Sequence, residues 1–344
     1  MSITKRDSSA DIIRSLAVCL MIFANGAIFL PPEAYPYWLR FLFSIPAPLF
    51  VMVSGMMLGI TQRRRALMYF MKRGFFVISV GVFIDVCINQ IMPFQSCDVL
   101  YLIGVTLPLV YLLSSLPSSL LALFVGVICM IGWGCRRFIG YSALPFEISL
   151  SGVISSDHVA SSVPYHWLID GWFPLFPWSG LMLFGCLAGR FKRRIVFFKN
   201  TELSILVVSL LLLLGGGVSW YLEPPAAHVR FGYVELFYPM DLSITVFMVG
   251  LFLFLKEIFS SVSIPSFMKI LILPGQMSMA AYILHLSFIK ISGLIFHQLH
   301  SLNLFFLLST WHVLLVLGAC QMIQVLKKDR EKSLPLVLGW LIGR

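Results

Sequence analysis

The sequence predicts an all-α fold, a polytopic membrane bundle of about ten transmembrane helices, and three observations predict it. Hydrophobic residues fill 59% of the 344 positions and charged residues only 12%, too apolar a balance for a chain whose surface must face water. Apolar runs of about 20 residues, the length of a helix that crosses a bilayer, recur along the whole chain. The basic residues cluster at alternate ends of those runs.

In chain order the predicted spans are Asp11 to Leu30, Tyr37 to Ile60, Leu67 to Ile88, Val99 to Leu116, Leu120 to Cys135, Trp172 to Phe191, Leu203 to Leu222, Asp241 to Phe259, Pro274 to Phe296 and Leu302 to Ile323. Each reads as a helix because only helices and closed barrels satisfy every backbone group in lipid. The fifth run is short enough to merge with its neighbours. The first carries Asp11 and Arg14 and is followed by no small-residue cleavage site, which reads as a retained helix.

The formal charge of +10 does not point to nucleic acid, because the basic residues sort by side. With the amino terminus inside, all of the 25 Lys and Arg except Arg40, Arg136, Arg137, Arg230 and Lys290 fall on cytoplasmic segments. That distribution predicts an even number of spans with both termini cytoplasmic. No linker or repeat divides the chain, so residues 1–344 read as one membrane domain, with helices within 11–324 and a cytoplasmic tail over 325–344. The seven cysteines show no CxxC pairing and read as small apolar packing residues, although Cys97 and Cys135 could meet outside the membrane. No metal site is expected.

Two outer segments are long, Arg136 to Gly171 and Glu223 to Pro239, and the outer half holds most of the acids and histidines, among them Glu33, Asp85, Asp98, His166 and Asp170. Proton-transfer chemistry is better equipped on that side, though any one of these also reads as an ordinary wet loop residue.

Five constellations stand out. Asp11 and Arg14 share a helical face and pair, which anchors the first helix; Arg14 with Arg63, Arg64, Arg65, Lys72, Arg73, Arg190, Lys192 and Arg193 also suits an anion-binding vestibule for a ligand with several phosphates. Asn25 lies inside an apolar helix, where it either ties helices together or holds a carbonyl or oxyanion. Pro46 and Pro48 interrupt a span, by a kink or by lining a cavity. The run from Trp172 to Trp178 is an interfacial belt or a platform for sugar rings and acyl chains. Ser278, Tyr282 and His285 share one face of the ninth helix, and His285 is a buried structural histidine or a member of the site.

These segments resemble the transmembrane acyltransferase superfamily, and most closely the heparan-alpha-glucosaminide N-acetyltransferase catalytic domain and its bacterial relatives. Asp11-Ile-Ile-Arg14-Ser15 through Asn25-Gly26 is similar to the family's Asp-x-x-Arg-Gly opening and Val-Asn-Tyr-Gly end. Leu49-Phe50 to Ser54-Gly55, Arg73-Gly-Phe-Phe, Asp98 to Gly104, Phe173 to Trp178 and Gly275 to His285 follow in the family's order.

The resemblance implies transfer of an acyl group, usually acetyl, from cytoplasmic acetyl-CoA through the bundle to a sugar at the opposite face. Asn25 matches the family's site Asn. The family's outer His has no counterpart; the Glu33-Ala34 step stands nearest, and Ser15 replaces the usual Gly. Either Glu33, Asp85, His166 or Asp170 supplies the base, or the chemistry has changed or been lost.

The expected function is therefore an acetyl-CoA-dependent O- or N-acyltransferase of the bacterial inner membrane. Asn25, Glu33, His166, Asp170 and His285 are its candidate catalytic residues, and Arg14, Arg63, Arg64, Arg65, Arg73, Arg190 and Arg193 the candidates for holding the donor. The expected partners are membrane lipid, acyl-CoA and an envelope glycan or glycolipid, with self-association left open. A transporter or flippase of a lipid-linked or anionic solute, with the helix breaks lining its path, is the alternative, as is an inactive relative.

Overall fold

A computed structural model describes residues 8–31, 36–61, 65–95, 97–138, 163–191, 201–222, 242–261, 265–296, 298–299, 301–330 and 336–342. Among the described residues the chain is helical throughout and contains no strand. Helix α1 covers Ser8–Gly26 and ends in a 3₁₀ turn, Ala27–Phe29. Then come α2 (Tyr37–Ser44), α3 (Pro46–Thr61), α4 (Leu67–Phe83) with a π turn at Ile84–Asn89, α5 (Val99–Leu113) and α6 (Ser118–Phe138). After the turns at Val163–Tyr165 and His166–Asp170 follow α7 (Leu175–Phe191), α8 (Thr201–Leu222), α9 (Leu242–Ser261), a 3₁₀ segment Ser266–Ile272, α10 (Leu273–Gln276), α11 (Ser278–Gly293), α12 (Leu302–Arg330) and α13 (Leu336–Leu341).

Among the described residues four stretches are long and apolar enough to cross a bilayer, at 9–29, 41–61, 118–135 and 302–327, and the bent pair α10–α11 with its 3₁₀ lead adds a fifth. Length and composition alone thus give fewer spans than the ten expected. The fifth predicted span does not merge with its neighbours: α6 is a continuous helix of 21 residues.

Three predicted spans are interrupted, one of them, Trp172 to Phe191, at Phe176 (φ -105°, ψ 119°) in the first turn of α7. Tyr37 to Ile60 is divided at Ile45, because Pro46 and Pro48 have no N–H to donate and fit only the first turn of a new helix. Pro274 to Phe296 is divided at Met277, where α10 and α11 meet at 92°. The groups freed at this break are held by α1. Arg14 Nη1 donates to the Gly275 carbonyl at 3.1 Å, Ser15 Oγ donates to the Leu271 carbonyl at 2.5 Å, the Gly275 N–H donates to Ser15 Oγ at 3.2 Å, and Gln276 Nε2 donates to Asp11 Oδ2 at 3.3 Å. The expected Asp11–Arg14 pair forms, at 3.9 Å, and it faces the break.

At the centre, α3 crosses α7 backbone to backbone. Gly55 and Gly59 of α3 lie against the carbonyls of Met182 and Cys186, and Gly185 and Gly189 of α7 lie against those of Met52 and Met56. Each helix thus presents a Gly-xxx-Gly pair to the other, the pattern that lets helices in lipid approach without side chains between them. A Cβ at any of these four glycines would collide with backbone. Around this crossing packs the main apolar core, with Tyr101, Met52, Met56 and Trp178 fully or almost fully enclosed. A second core joins the carboxyl end of α1, α2 and the start of α12 through Phe29, Leu39, Phe43 and Phe305.

Candidate functional site

Asn25, in the last turn of α1, donates from Nδ2 to His285 Nε2 of α11 at 2.9 Å. His285 Nδ1 lies 3.2 Å from the Ala281 carbonyl one turn back, and a carbonyl accepts only, so Nδ1 carries the proton. The neutral ring then has a single lone pair, at Nε2, and the Asn25 amide points its NH₂ at it. Each contact fixes the other. His285 is fully buried and Tyr282 packs edge to face on its ring, centroids 5.0 Å apart. Tyr282 and His285 thus touch as expected, through their rings rather than through a hydrogen bond.

Asn25 forms part of the wall of a cavity of about 530 Å³ enclosed by α1, α3, the π turn after α4, the start of α5, the lead into α7 and the second half of α11. Asp85, Asp98, Tyr282, Trp172, Phe173 and Lys290 line it with Asn25, and His285 lies directly behind the wall. Both acids are tied to tyrosines. Tyr101 Oη donates to Asp85 Oδ2 in a short hydrogen bond inside the bundle. Tyr282 Oη approaches Asp98 Oδ2 at 3.5 Å, while Asp98 Oδ1 caps α5 by accepting from the Val99 N–H at 2.6 Å. Acceptor oxygens therefore come to the cavity from the π turn after α4 and from the N-cap of α5, an amide comes from α1, and an aromatic face is supplied by Trp172.

The other expected catalytic residues are not gathered there. His166 is buried in the π turn before α7 but does not line the cavity. Glu33 and the side chain of Asp170 lie outside the described residues. Of the arginines expected to hold the donor, Arg63, Arg64 and Arg193 also lie outside them. Arg14 serves the break in α10–α11, and Arg190 Nη1 donates to the Leu116 carbonyl in the turn between α5 and α6 at 2.8 Å. Arg65 lies over the Tyr69 ring at 4.8 Å and Arg73 over the Trp340 ring of α13 at 6.0 Å. All seven cysteines are free.

Sequence reasoning placed Asn25 and His285 in separate constellations and missed their contact, because 260 residues separate them and no local spacing reports it. Tyr101 was missed too. The one available signal was Asp85 near the carboxyl end of an apolar run, since a buried carboxylate requires a donor.

A helical membrane bundle whose largely apolar cavity carries an amide and two carboxylates in its wall, with a histidine behind them, defines the class. The chain belongs to the heparan-alpha-glucosaminide N-acetyltransferase catalytic family, whose sequence profile matches residues 6–221, and is thus a membrane protein of an acyltransferase family. No curated protein matches the chain. The match spans α1 to α8 and includes Asn25, Asp85 and Asp98; His285 comes from the part of the chain beyond it.

Proposed function

We propose that the protein moves an acetyl group from cytoplasmic acetyl-CoA to a hydroxyl or amine of an extracytoplasmic saccharide, within a ten-span bundle whose termini are both cytoplasmic and which lies in a bacterial inner membrane. The observation that carries this reading is the Asn25–His285 contact at the wall of a cavity lined by Asp85 and Asp98.

The thioester reaches Asn25 from the inner side. The amide N–H of Asn25 turns from His285 to the thioester oxygen and stabilises the negative charge that develops there. Once released, His285 Nε2 takes the proton of the acceptor O–H or N–H as the acceptor oxygen or nitrogen bonds to the acetyl carbon. The carbon–sulfur bond then breaks, and the proton passes from His285 to the departing thiolate, so that CoA leaves as the free thiol and the histidine returns to its neutral form. Asp85 and Asp98 accept hydrogen bonds from neighbouring sugar hydroxyls and hold the reacting group in line. The family's outer His is absent from the sequence, and His285 is the histidine in contact with Asn25, which favours it as base over His166. On the donor side Arg65 and Arg73, with Arg63, Arg64 and Arg193, are the groups suited to the phosphates of CoA.

The reading is tested with purified protein in lipid nanodiscs and acetyl-CoA labelled in the acetyl group. Label should bind and pass to an added saccharide in wild type and remain on CoA with Asn25→Ala. If wild-type protein neither binds nor cleaves acetyl-CoA, the acyltransferase reading is wrong and transport of a solute through the cavity becomes the better account.

A further inference from the structure

The rim of the cavity is mixed, with Asn89 and Lys290 as its exposed polar residues and apolar side chains beside them. Its outermost lining residues include Ile28 of the 3₁₀ turn and Leu294 just past α11, which are 53% and 77% exposed. Leu286, Lys290 and Leu294 follow one another at helical spacing and all line the cavity. Ile291, Leu294 and Ile295 form the adjoining stripe, and Ile291 and Ile295 are 56% and 70% exposed. Leu294 belongs to both stripes. An apolar patch of this kind at the end of a bundle helix is a lipid-facing surface, so the cavity opens sideways onto the bilayer.

Lys290 stands at that opening. It is exposed, it lines the cavity, and it has no hydrogen bond or ion pair among the described residues. The two carboxylates lie elsewhere in the cavity and are engaged by Tyr101 and Tyr282. One ammonium group beside apolar side chains at the rim, with Trp172 and two carboxylates further in, is the pattern that complements an amphiphile with an anion between its sugar and its hydrocarbon.

We infer that the acceptor enters from the bilayer as a saccharide carried on a lipid phosphate, with the hydrocarbon along Ile28, Ile291 and Leu294, the phosphate on Lys290, and the sugar against Trp172, Asp98 and Asp85. This rests on the acyltransferase reading for its chemistry but not for its binding step.

The experiment uses the full chain in nanodiscs of zwitterionic lipid and measures binding of polyprenyl-phosphate-linked N-acetylglucosamine, of free N-acetylglucosamine 1-phosphate and of an uncharged alkyl glucoside. Thioester cleavage of acetyl-CoA is followed in the same discs. The lipid-linked phosphosugar should bind at least about tenfold more tightly than the free one, and Lys290→Gln should weaken it about tenfold while Lys290→Arg restores it and the alkyl glucoside is unaffected. Equal binding of the free and lipid-linked sugars would overturn the inference, as would indifference to Lys290→Gln. So would equal displacement by phosphatidylglycerol, which would mark the opening as a site for any anionic lipid. Binding through Lys290 without thioester cleavage would leave this inference standing and remove the acyltransferase reading.

Discussion

Asn25 and His285 hold each other at 2.9 Å, the amide of one fixed by the lone pair of the other. The contact joins the two ends of the chain and makes the state of one side chain readable at the other. Because the neutral ring already donates from Nδ1 to Ala281, a proton arriving at Nε2 converts that atom from acceptor to donor, and the Asn25 amide must then turn its oxygen inward or leave.

Asn25→Ala and His285→Ala should each lower the rate of acetyl transfer by roughly 10²- to 10³-fold, the scale of one oxyanion donor or one general base. Combined, they should cost no more than the worse single change, since both disable one unit. Single-turnover transfer in nanodiscs measures this, and additive losses would show that the two residues act separately.

Arg14→Met and Ser15→Ala should lower thermal stability even without donor, because they remove the hydrogen bonds that close the break at Met277, with a cost of about 1.5–3 kcal/mol for the charged group. Arg65→Met should leave the melting temperature unchanged, since the side chain is exposed over Tyr69 and the hydrogen bond from Tyr111 Oη goes to the Arg65 backbone carbonyl, which the substitution keeps. If Arg14 served only to bind acetyl-CoA, its loss would appear solely in donor affinity.

Gly185→Val should abolish assembly, because its Cβ would strike the Met52 carbonyl and no rotamer change moves backbone. Gly126→Val on α6, where nothing lies within 4 Å, should give a protein of normal yield and elution volume. Size-exclusion profiles of the two variants side by side decide the matter.

Tyr101→Phe should harm the acceptor step more than Tyr282→Phe. The first leaves a carboxylate that is 2% exposed without its tyrosine donor, a loss on the order of 1–3 kcal/mol, whereas the second removes a contact already at 3.5 Å. The acceptor KM should rise accordingly while donor binding stays as it was. Equal effects would mean that Asp85 and Asp98 are equivalent in function.

Much of the fold was legible because hydropathy in lipid reports helices directly: the starts of α4, α5 and α12 fall where the apolar runs begin. The break at Met277 was not legible, since Pro274 and Gly275 sit where an ordinary helix start would also place them, and the partners that make the bend stable come from α1. Asn25 was legible as an amide in an apolar run. Its partner was not, because a lone histidine at mid-helix looks the same whether it is packing or chemistry. The Gly-xxx-Gly pairs at Gly55 and Gly185 carried a readable signal that hydropathy hides among other small residues.

The bend at Met277 has a mechanical meaning. Its short arm is fastened to the first turns of α1 and its long arm carries His285, while the far end of that same α1 carries Asn25. Two rods hinged at one end and touching at the other form a closed triangle, and a triangle does not shear. The spacing of the Asn25–His285 pair is thus set by a joint several turns away along α1, and changes elsewhere in the bundle that spare both joints leave it undisturbed.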